Sequence, residues 1–269
     1  MLKISFFIIA IILVIVLIGL GQRKFKKEVQ AFLSDTLTSS ESATTADLSK
    51  LPEPVQRYYH YAIKDSTLSI KNVRLKHSGQ FKTDPKKDWM GIKGEQYFSV
   101  AEPGFIWKGT TTLFTADDRY VDGKGGLTVK LLSLIKIVEA RSQQTDEAEL
   151  QRWIAENFWF PINLFTNDHF TWKPIDDSHA TLIFKDQHHE LSMTVTFNED
   201  GQLAMVECKR YMTDDRLEIW RGYASEYIEQ KSMMIPSLIE AVWMLESGDY
   251  SYAKFALDTI EYNVSEVYE

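Results

Sequence analysis

The sequence contains a single cysteine, Cys208, among 269 residues. One thiol excludes an intrachain disulfide framework and any multi-cysteine metal site. A concentrated basic face is also missing. The formal net charge is −8, whereas a nucleic-acid binder gathers lysines and arginines against phosphates, so no nucleic-acid partner is expected. The one dense basic run, Arg23, Lys24, Lys26 and Lys27, follows a hydrophobic segment, where anionic lipid headgroups are its natural partners.

Catalytic and cofactor signatures are absent as well. There is no G-x-S-x-G elbow, and Cys208 alternates with Ala204 and Val206 as a small core residue would. The run Asp122-Gly123-Lys124-Gly125-Gly126 lacks the residue order of a phosphate loop and reads as a glycine-rich turn. His188, His189 and Glu190 come nearest to a metal set, but neighbouring side chains in an extended chain point to opposite faces, so a solvated turn is expected there. The histidines at 60, 77, 169 and 179 show no ligand spacing, and neither metal nor cofactor is expected. Glu156, Asp176, Asp177, Glu240 and Asp258 are the carboxylates from which an acid/base pair would be drawn, and nothing in their spacing brings two of them together.

What is present begins with residues 4–20, ISFFIIAIILVIVLIGL, an uncharged run that with its flanks reaches the roughly 20 residues needed to cross a bilayer as a helix. It exceeds the h-region of a signal peptide, about 7–15 residues, and its one small-x-small site, Gly19-Leu20-Gly21, runs into Gln22 and the basic cluster. Residues 1–22 therefore read as an uncleaved single-pass membrane anchor. Lys3 and the α-amino group stand before it and four basic side chains after it, a count that by itself would keep the domain in the cytoplasm. Residues 23–50 read as a basic flank and flexible tether: 28–33 extend the helix briefly, and 34–49 are rich in Ser, Thr, Asp and Glu without apolar periodicity.

Residues 51–269 form a single domain in this reading. The chain is 44% hydrophobic and 25% charged, as globular chains are. A helix is expected where LPEPVQRYYHYAI sets Val55, Tyr58, Tyr59 and Ala62 on one face. From Ser69 onward, short β-branched and aromatic runs alternate with turn signals. Leu191, Met193, Val195 and Phe197 alternate with polar residues as a strand buried on one face, and Asn198-Glu199-Asp200-Gly201 supplies a hairpin turn. Further strands are expected at 202–211, 217–228, 237–246 and 253–263. Leu131, Leu134, Ile135 and Val138 recur at helical spacing, with a β-branched content that also suits a strand. A second helix is expected over 146–160, N-capped by Thr145, with acids at 146, 147 and 149 and Pro161 ending it.

Seven tryptophans, at 89, 107, 153, 159, 172, 220 and 243, stand among 12 tyrosines and 15 phenylalanines. Trp153, Phe158, Trp159 and Phe160 spread over more than one face of a short helix, which a concave sheet buries better than a flat one. A sheet wrapped round a helix often leaves an apolar cavity. The ligand-contacting residues expected on this argument are Trp107, Trp153, Phe158, Trp159, Trp220 and Trp243.

At these residues the chain resembles a known family. LQRWIAENFWFP at 150–161 resembles the RYLAExxWFP-type signature of DUF6544 (DUF6920-like), an uncharacterised bacterial family. The similarity runs from Leu51 to about Asn263 and takes in GFIWKG at 104–109, Trp220-Arg221-Gly222 and Ile235-Pro236. Asn157 and Phe158 stand where small residues are more usual, and the family has no established activity to carry over. More loosely, a meander with helices tucked against it looks like the half-barrel of lipoprotein carriers of the LolA/LolB type. That likeness implies an extracytoplasmic domain with a hydrophobic cleft for acyl chains, although fold alone does not establish function. The expected architecture is mainly β (α+β), a curved antiparallel meander or half-barrel with helices on its concave face, preceded by a transmembrane helix. The expected function is a membrane-anchored binding protein for a lipid or other hydrophobic ligand. The alternatives are an enzyme acting on a lipid or envelope component and a non-catalytic interaction module. An apolar cavity favours the first, converging buried carboxylates the second and a filled core the third.

Overall fold

The computed structural model describes residues 2–38 and 47–269, with side chains described at 14, 16–38 and 47–269. Among the described residues, thirteen strands form one sheet. The first six, β1 (Asn72–Phe81), β2 (Met90–Ser99), β3 (Gly104–Thr110), β4 (Phe114–Val121), β5 (Lys124–Leu131) and β6 (Ile135–Ala140), run as an antiparallel meander. The remaining seven, β7 (Phe170–Pro174), β8 (His179–Lys185), β9 (Glu190–Phe197), β10 (Leu203–Thr213), β11 (Arg216–Gln230), β12 (Met233–Leu245) and β13 (Gly248–Tyr262), form a second meander. The two halves join where β1 pairs antiparallel with β13. Local chemistry sets the hairpins. Asp122 and Gly123, with φ of 52° and 74°, make the two-residue turn between β4 and β5, whose handedness matches strand twist. The Asn198 side chain accepts from the Gln202 amide at 2.8 Å and closes the turn between β9 and β10.

The strands expected from 191 onward are all present, each somewhat longer than its apolar core. The segment 131–138 resolves as a hairpin corner, with Leu131 ending β5, a turn at 132–134 and β6 beginning at Ile135: Leu127 pairs with Ala140 and Val129 with Val138. The helical spacing of its leucines is a by-product of that hairpin, and β-branched Ile135, Ile137 and Val138 suit a pleated surface better.

Helices α2 (Glu53–Ala62), α3 (Gln143–Ala155) and α4 (Asn163–Thr166) pack on one face of the sheet, with a 3₁₀ turn at Glu156–Trp159 continuing α3. The cap of α3 is Ser142, three residues ahead of the expected cap Thr145; its hydroxyl accepts from the Thr145 amide at 3.0 Å. Helix α3 touches both β5 and β10, near opposite ends of the strand order, so the sheet curves around it. This explains why Leu150, Trp153 and Ile154 are buried together with Ala148 and Gln151, on every side of the helix. Phe98, Phe105, Phe184 and Tyr262 enclose this core from the strands.

Helix α1 (Leu2–Thr38) lies on the other, convex face. Phe25, Val29 and Leu33 pack on Tyr97 and Ile106, whose neighbours Phe98 and Phe105 point inward, and the chain terminus adds Val264, Val267 and Tyr268 to this second core. Asn72 Nδ2 donates to Thr36 Oγ1 at 2.8 Å. Residues 25–38 are therefore a docked helix, contrary to the expected tether. The four-residue recurrence of Phe25, Val29 and Leu33 supplies an apolar stripe, each such side chain contributing about 1.5–3 kcal/mol when buried. Residues 39–46, the middle of the expected tether, lie outside the described residues. No helix among the described residues is long and apolar enough to cross a membrane; the anchor expectation rests on 4–20, most of whose side chains also lie outside them.

Candidate functional site

The inward positions of β1–β4 alternate with outward ones, so register decides what lines the concave face. Gly94, Gly109, Ala116 and Val129 pair in succession on the inward face across β2–β5, and at the next inward position of β2, Ile92 pairs with Gly79 of β1. From β1 the same level continues through Phe255 and Ile239 on β13 and β12. Phe81, Ala116, Ile239, Ala241, Phe255 and Leu257 are only partly buried, so this half of the concave face is an apolar floor that the helices do not close.

Trp107, Trp220 and Trp243 lie at the inner border of that floor. The Trp107 ring lies across Gly109, where a Cβ would come within 2.2 Å of its Cη2, so only glycine lets the indole lie flat on the sheet. Its Nε1–H donates to His77 Nε2 at 2.8 Å, and His77 stacks on Phe255 at 4.1 Å between ring centroids. Burial, with Arg152 nearby, pushes the His77 imidazole down to about 3, so it is neutral and able to accept. Trp220 and Trp243 pair across β11 and β12, and Trp220 Nε1–H donates to the Tyr252 hydroxyl at 3.0 Å.

A charged cluster covers these rings from the side of α3. The Arg152 guanidinium stands 4.8 Å from the Phe105 ring and 5.1 Å from that of Trp107, and Arg210 stands 5.4 Å from Trp220. Arg152 donates to Asp118 at 2.5 Å and to Glu156 at 3.0 Å, and Gln96 donates to Glu156 at 2.7 Å. Arg210 donates to the Ala148 carbonyl at 3.0 Å and faces Glu149 at 3.7 Å. Burial works against charge on Arg152, but Glu156, Asp118 and Glu149 outweigh it and raise its pKa well above the usual value. Burial pushes Glu156 upward too, with Arg152 and Gln96 opposing.

Glu149 carries the largest consequence. Burial, then the adjacent Asp118 carboxylate, push it up to about 8. Asp118 Oδ1 and Glu149 Oε2 have no other partner, so a proton held by Glu149 and donated to Asp118 satisfies both. Arg152 and Arg210 supply the positive charge set among the three acids Asp118, Glu149 and Glu156. The arrangement holds a proton at neutral pH, and it fixes α3 to β4, β2 and β10.

The six expected ligand-contacting residues thus fall into two groups. Trp153, Phe158 and Trp159 fill the closed core around α3, where Trp153 donates to the Ser99 carbonyl at 2.9 Å and Trp159 to that of Pro236 at 3.3 Å. Trp107, Trp220 and Trp243 border the apolar floor and are themselves buried. They do not converge on one cleft with the first three. Asn157 is buried too, donating to the Trp153 carbonyl at 2.8 Å and accepting from Asn163 at 2.7 Å, so it belongs to a polar brace in the core.

Of the five carboxylates singled out from the sequence, Glu156 alone enters the cluster; Asp176 closes an exposed turn with Ser178 and His179, Asp258 pairs with Ser78, and Glu240 pairs with Lys254. Asp118, Glu149, Arg152 and Arg210 were missed. A signal for them exists: Arg210 continues the inward alternation of Val206 and Cys208, and Asp118 lies between inward Ala116 and Tyr120. The other sequence candidates behave as turns and core. Asp186 accepts from the His188 and His189 amides at 2.7 and 2.6 Å, and Cys208 is buried, its thiol pushed up to about 12 by burial.

Among solved structures, the chain is similar to a LolA superfamily protein from Nitrosomonas europaea, with 10% identity and a TM-score of 0.42 over 81% of this chain and 94% of that one. It is similar also to a domain from Vibrio parahaemolyticus ascribed to outer membrane lipoprotein sorting, with 9% identity and a TM-score of 0.43 over 80% of this chain and 93% of that one. No curated protein matches the chain. A family model covers residues 41–255, most of the domain and the whole of both meanders up to β13, and by that match the protein belongs to DUF6544, a family of unknown function.

Proposed function

We propose that the protein is a membrane-anchored binding protein that takes an acyl chain or similar apolar ligand on the open half of its concave face. One observation carries this reading: the inward register from β1 to β5 and across β12 and β13 presents partly buried apolar side chains beyond α3, and the His77 imidazole beside them is neutral. Apolar surface left open in a concavity gains by receiving an apolar guest. The anchor is residues 1–22, and the domain faces away from the cytoplasm.

Geometry supports a membrane-side mouth. Ile18 and Gly21 of α1 lie beside Ser133 in the β5–β6 turn, while Phe32 reaches Gly104 at the other end of β3. The helix therefore runs along the strands and leaves the domain at the end where the apolar floor opens.

The converging carboxylates would suit an enzyme, but both arginines engage them and α3 covers them, which favours a structural role. The test is native mass spectrometry of the full chain extracted in dodecyl maltoside, together with binding of dansyl-undecanoic acid. A copurifying lipid and saturable probe binding are expected. Ala241→Trp, which fills the floor beside Trp243, should weaken probe binding at least about tenfold while leaving the melting temperature within a few degrees. Absence of both lipid and probe binding overturns the proposal.

A further inference from the structure

A second cavity lies on the opposite, convex face. It is a cleft of about 280 Å³ between α1 and the outer face of β3–β5, reached from Ile18 and Gly21 on one side and from Ser133 on the other. In a chain of net charge −8, its lining is basic: Lys24, Lys108, Arg119, Lys130 and Arg141 contribute five positive charges, against Glu28 and Asp117. Glu28 faces Arg119 at 3.4 Å and Lys24 at 3.9 Å, and Asp117 faces Lys130 at 3.3 Å. Around them Arg141 meets Glu139 at 3.4 Å, and the Lys108 ammonium lies 4.5 Å from the Phe25 ring. Thr110, Thr115, Thr128 and Ser133 add hydroxyl donors to the walls. An excess of cations with hydroxyls in a concave site is the chemistry that receives a phosphate.

The turns beside the cleft are apolar and exposed. Leu113 and Leu132 are 52% and 55% exposed, and the Leu132 amide donates to the Leu113 carbonyl at 2.8 Å, which holds the β3–β4 and β5–β6 turns together. Leu132 has φ of 50°, a left-handed position where glycine or asparagine costs less. Ile135, 60% exposed, extends the patch. Val14, Val16, Leu17 and Leu20, also exposed, continue it along α1. Basic groups set just behind exposed apolar side chains match the layering of a bilayer surface, phosphates outside and hydrocarbon within.

We propose that this cleft binds the phosphate of an anionic lipid headgroup while the Leu113 and Leu132 turns dip into the interface. The inference rests on the membrane reading above but concerns a different face from the apolar floor. Its test uses the full chain in dodecyl maltoside micelles, titrated with dioleoyl phosphatidylglycerol or dioleoyl phosphatidylcholine and followed by native mass spectrometry. Phosphatidylglycerol should be retained roughly tenfold more tightly at low salt. That preference should vanish in Lys108→Gln/Arg141→Gln and in Thr128→Glu, either of which serves if the other misfolds. Equal retention of the two lipids overturns the proposal, as does displacement of phosphatidylglycerol by millimolar inorganic phosphate, which would identify free phosphate as the occupant. Release of the protein from membranes by alkaline carbonate with lipid preference intact would remove the anchor and leave the headgroup site. Firm retention without preference would remove the site alone, and probe binding in Ala241→Trp reports on the apolar floor independently of both.

Discussion

Replacing Glu149 with glutamine separates the charge of the buried cluster from its shape. Burial and the Asp118 carboxylate push the Glu149 carboxyl up to about 8 from an ordinary 4.5. The folded protein therefore keeps a proton that the unfolded chain releases once pH exceeds 4.5. Stability follows pH with the sign of the protons bound by the unfolded state minus those bound by the folded state; that difference is negative here, so stability falls as pH rises. The contribution is complete below pH 4.5 and lost as pH passes about 8. At about 1.4 kcal/mol per pH unit, that window is worth roughly 5 kcal/mol. Glutamine keeps the shape and donates to Asp118 at every pH. Glu149→Gln should therefore match the wild type within about 1 kcal/mol near pH 5 and exceed it by several kcal/mol near pH 9. Urea unfolding of the full chain in dodecyl maltoside, followed by tryptophan fluorescence at three pH values, measures both curves. Parallel curves would refute the assignment of the proton to Glu149, and a large loss near pH 5 would show that the carboxyl is charged in the fold.

Three further outcomes test the packing. His77 is neutral because burial and Arg152 lower it from 6.5 to about 3, so the unfolded chain binds the extra proton and stability is lost as pH falls below 6.5. His77→Phe should abolish that acid loss while costing about 1–3 kcal/mol at neutral pH, since Trp107 loses its acceptor; urea melts near pH 4 and pH 8 give the crossing. Trp159→Ala should cost about 3–5 kcal/mol and leave dansyl-undecanoic acid binding intact, and lost binding at unchanged stability would instead place the ligand in the helix-filled end. Gly125→Ala would set a Cβ 2.6 Å from the Thr145 carbonyl oxygen and push the start of α3 off β5, a cost of about 1–3 kcal/mol in thermal unfolding; an unchanged melting temperature would show that the helix has room to shift.

The strands of the second meander were legible because each has one buried and one solvated face, which prints period two into the chain. The concave placement of α3 was legible for a related reason: aromatic residues spread round a helix need walls on several sides. What period and composition did not reveal is instructive. Residues 131–138 satisfy helical and strand templates together, and only the pairing of β5 with β6 across the turn decides between them. The docking stripe of Phe25, Val29 and Leu33 is interleaved with lysines and glutamate, which hide it in composition although every fourth residue is apolar. Trp107 and Trp159 are the same residue type, and neither spacing nor propensity says that one borders an open floor and the other fills a core. That difference arises from which strands curl over α3, a property of the whole sheet.

The buried cluster is where the sequence was least informative and the structure most specific. Well-packed apolar side chains in place of two arginines and three carboxyls would be about as stabilising, because desolvation of the ions offsets most of their attraction. Ions differ from apolar packing in direction. Arg152 reaches from α3 to Asp118 on β4 while Gln96 of β2 holds Glu156, and Arg210 reaches from β10 to the Ala148 carbonyl and Glu149. Gln151 adds a donation to the Lys209 carbonyl at 2.8 Å. One short helix is thereby tied to both meanders at fixed register, where apolar contacts alone would let it slide along the concavity. Because α3 marks the boundary between filled core and apolar floor, those directional contacts set how much of the concave face stays open.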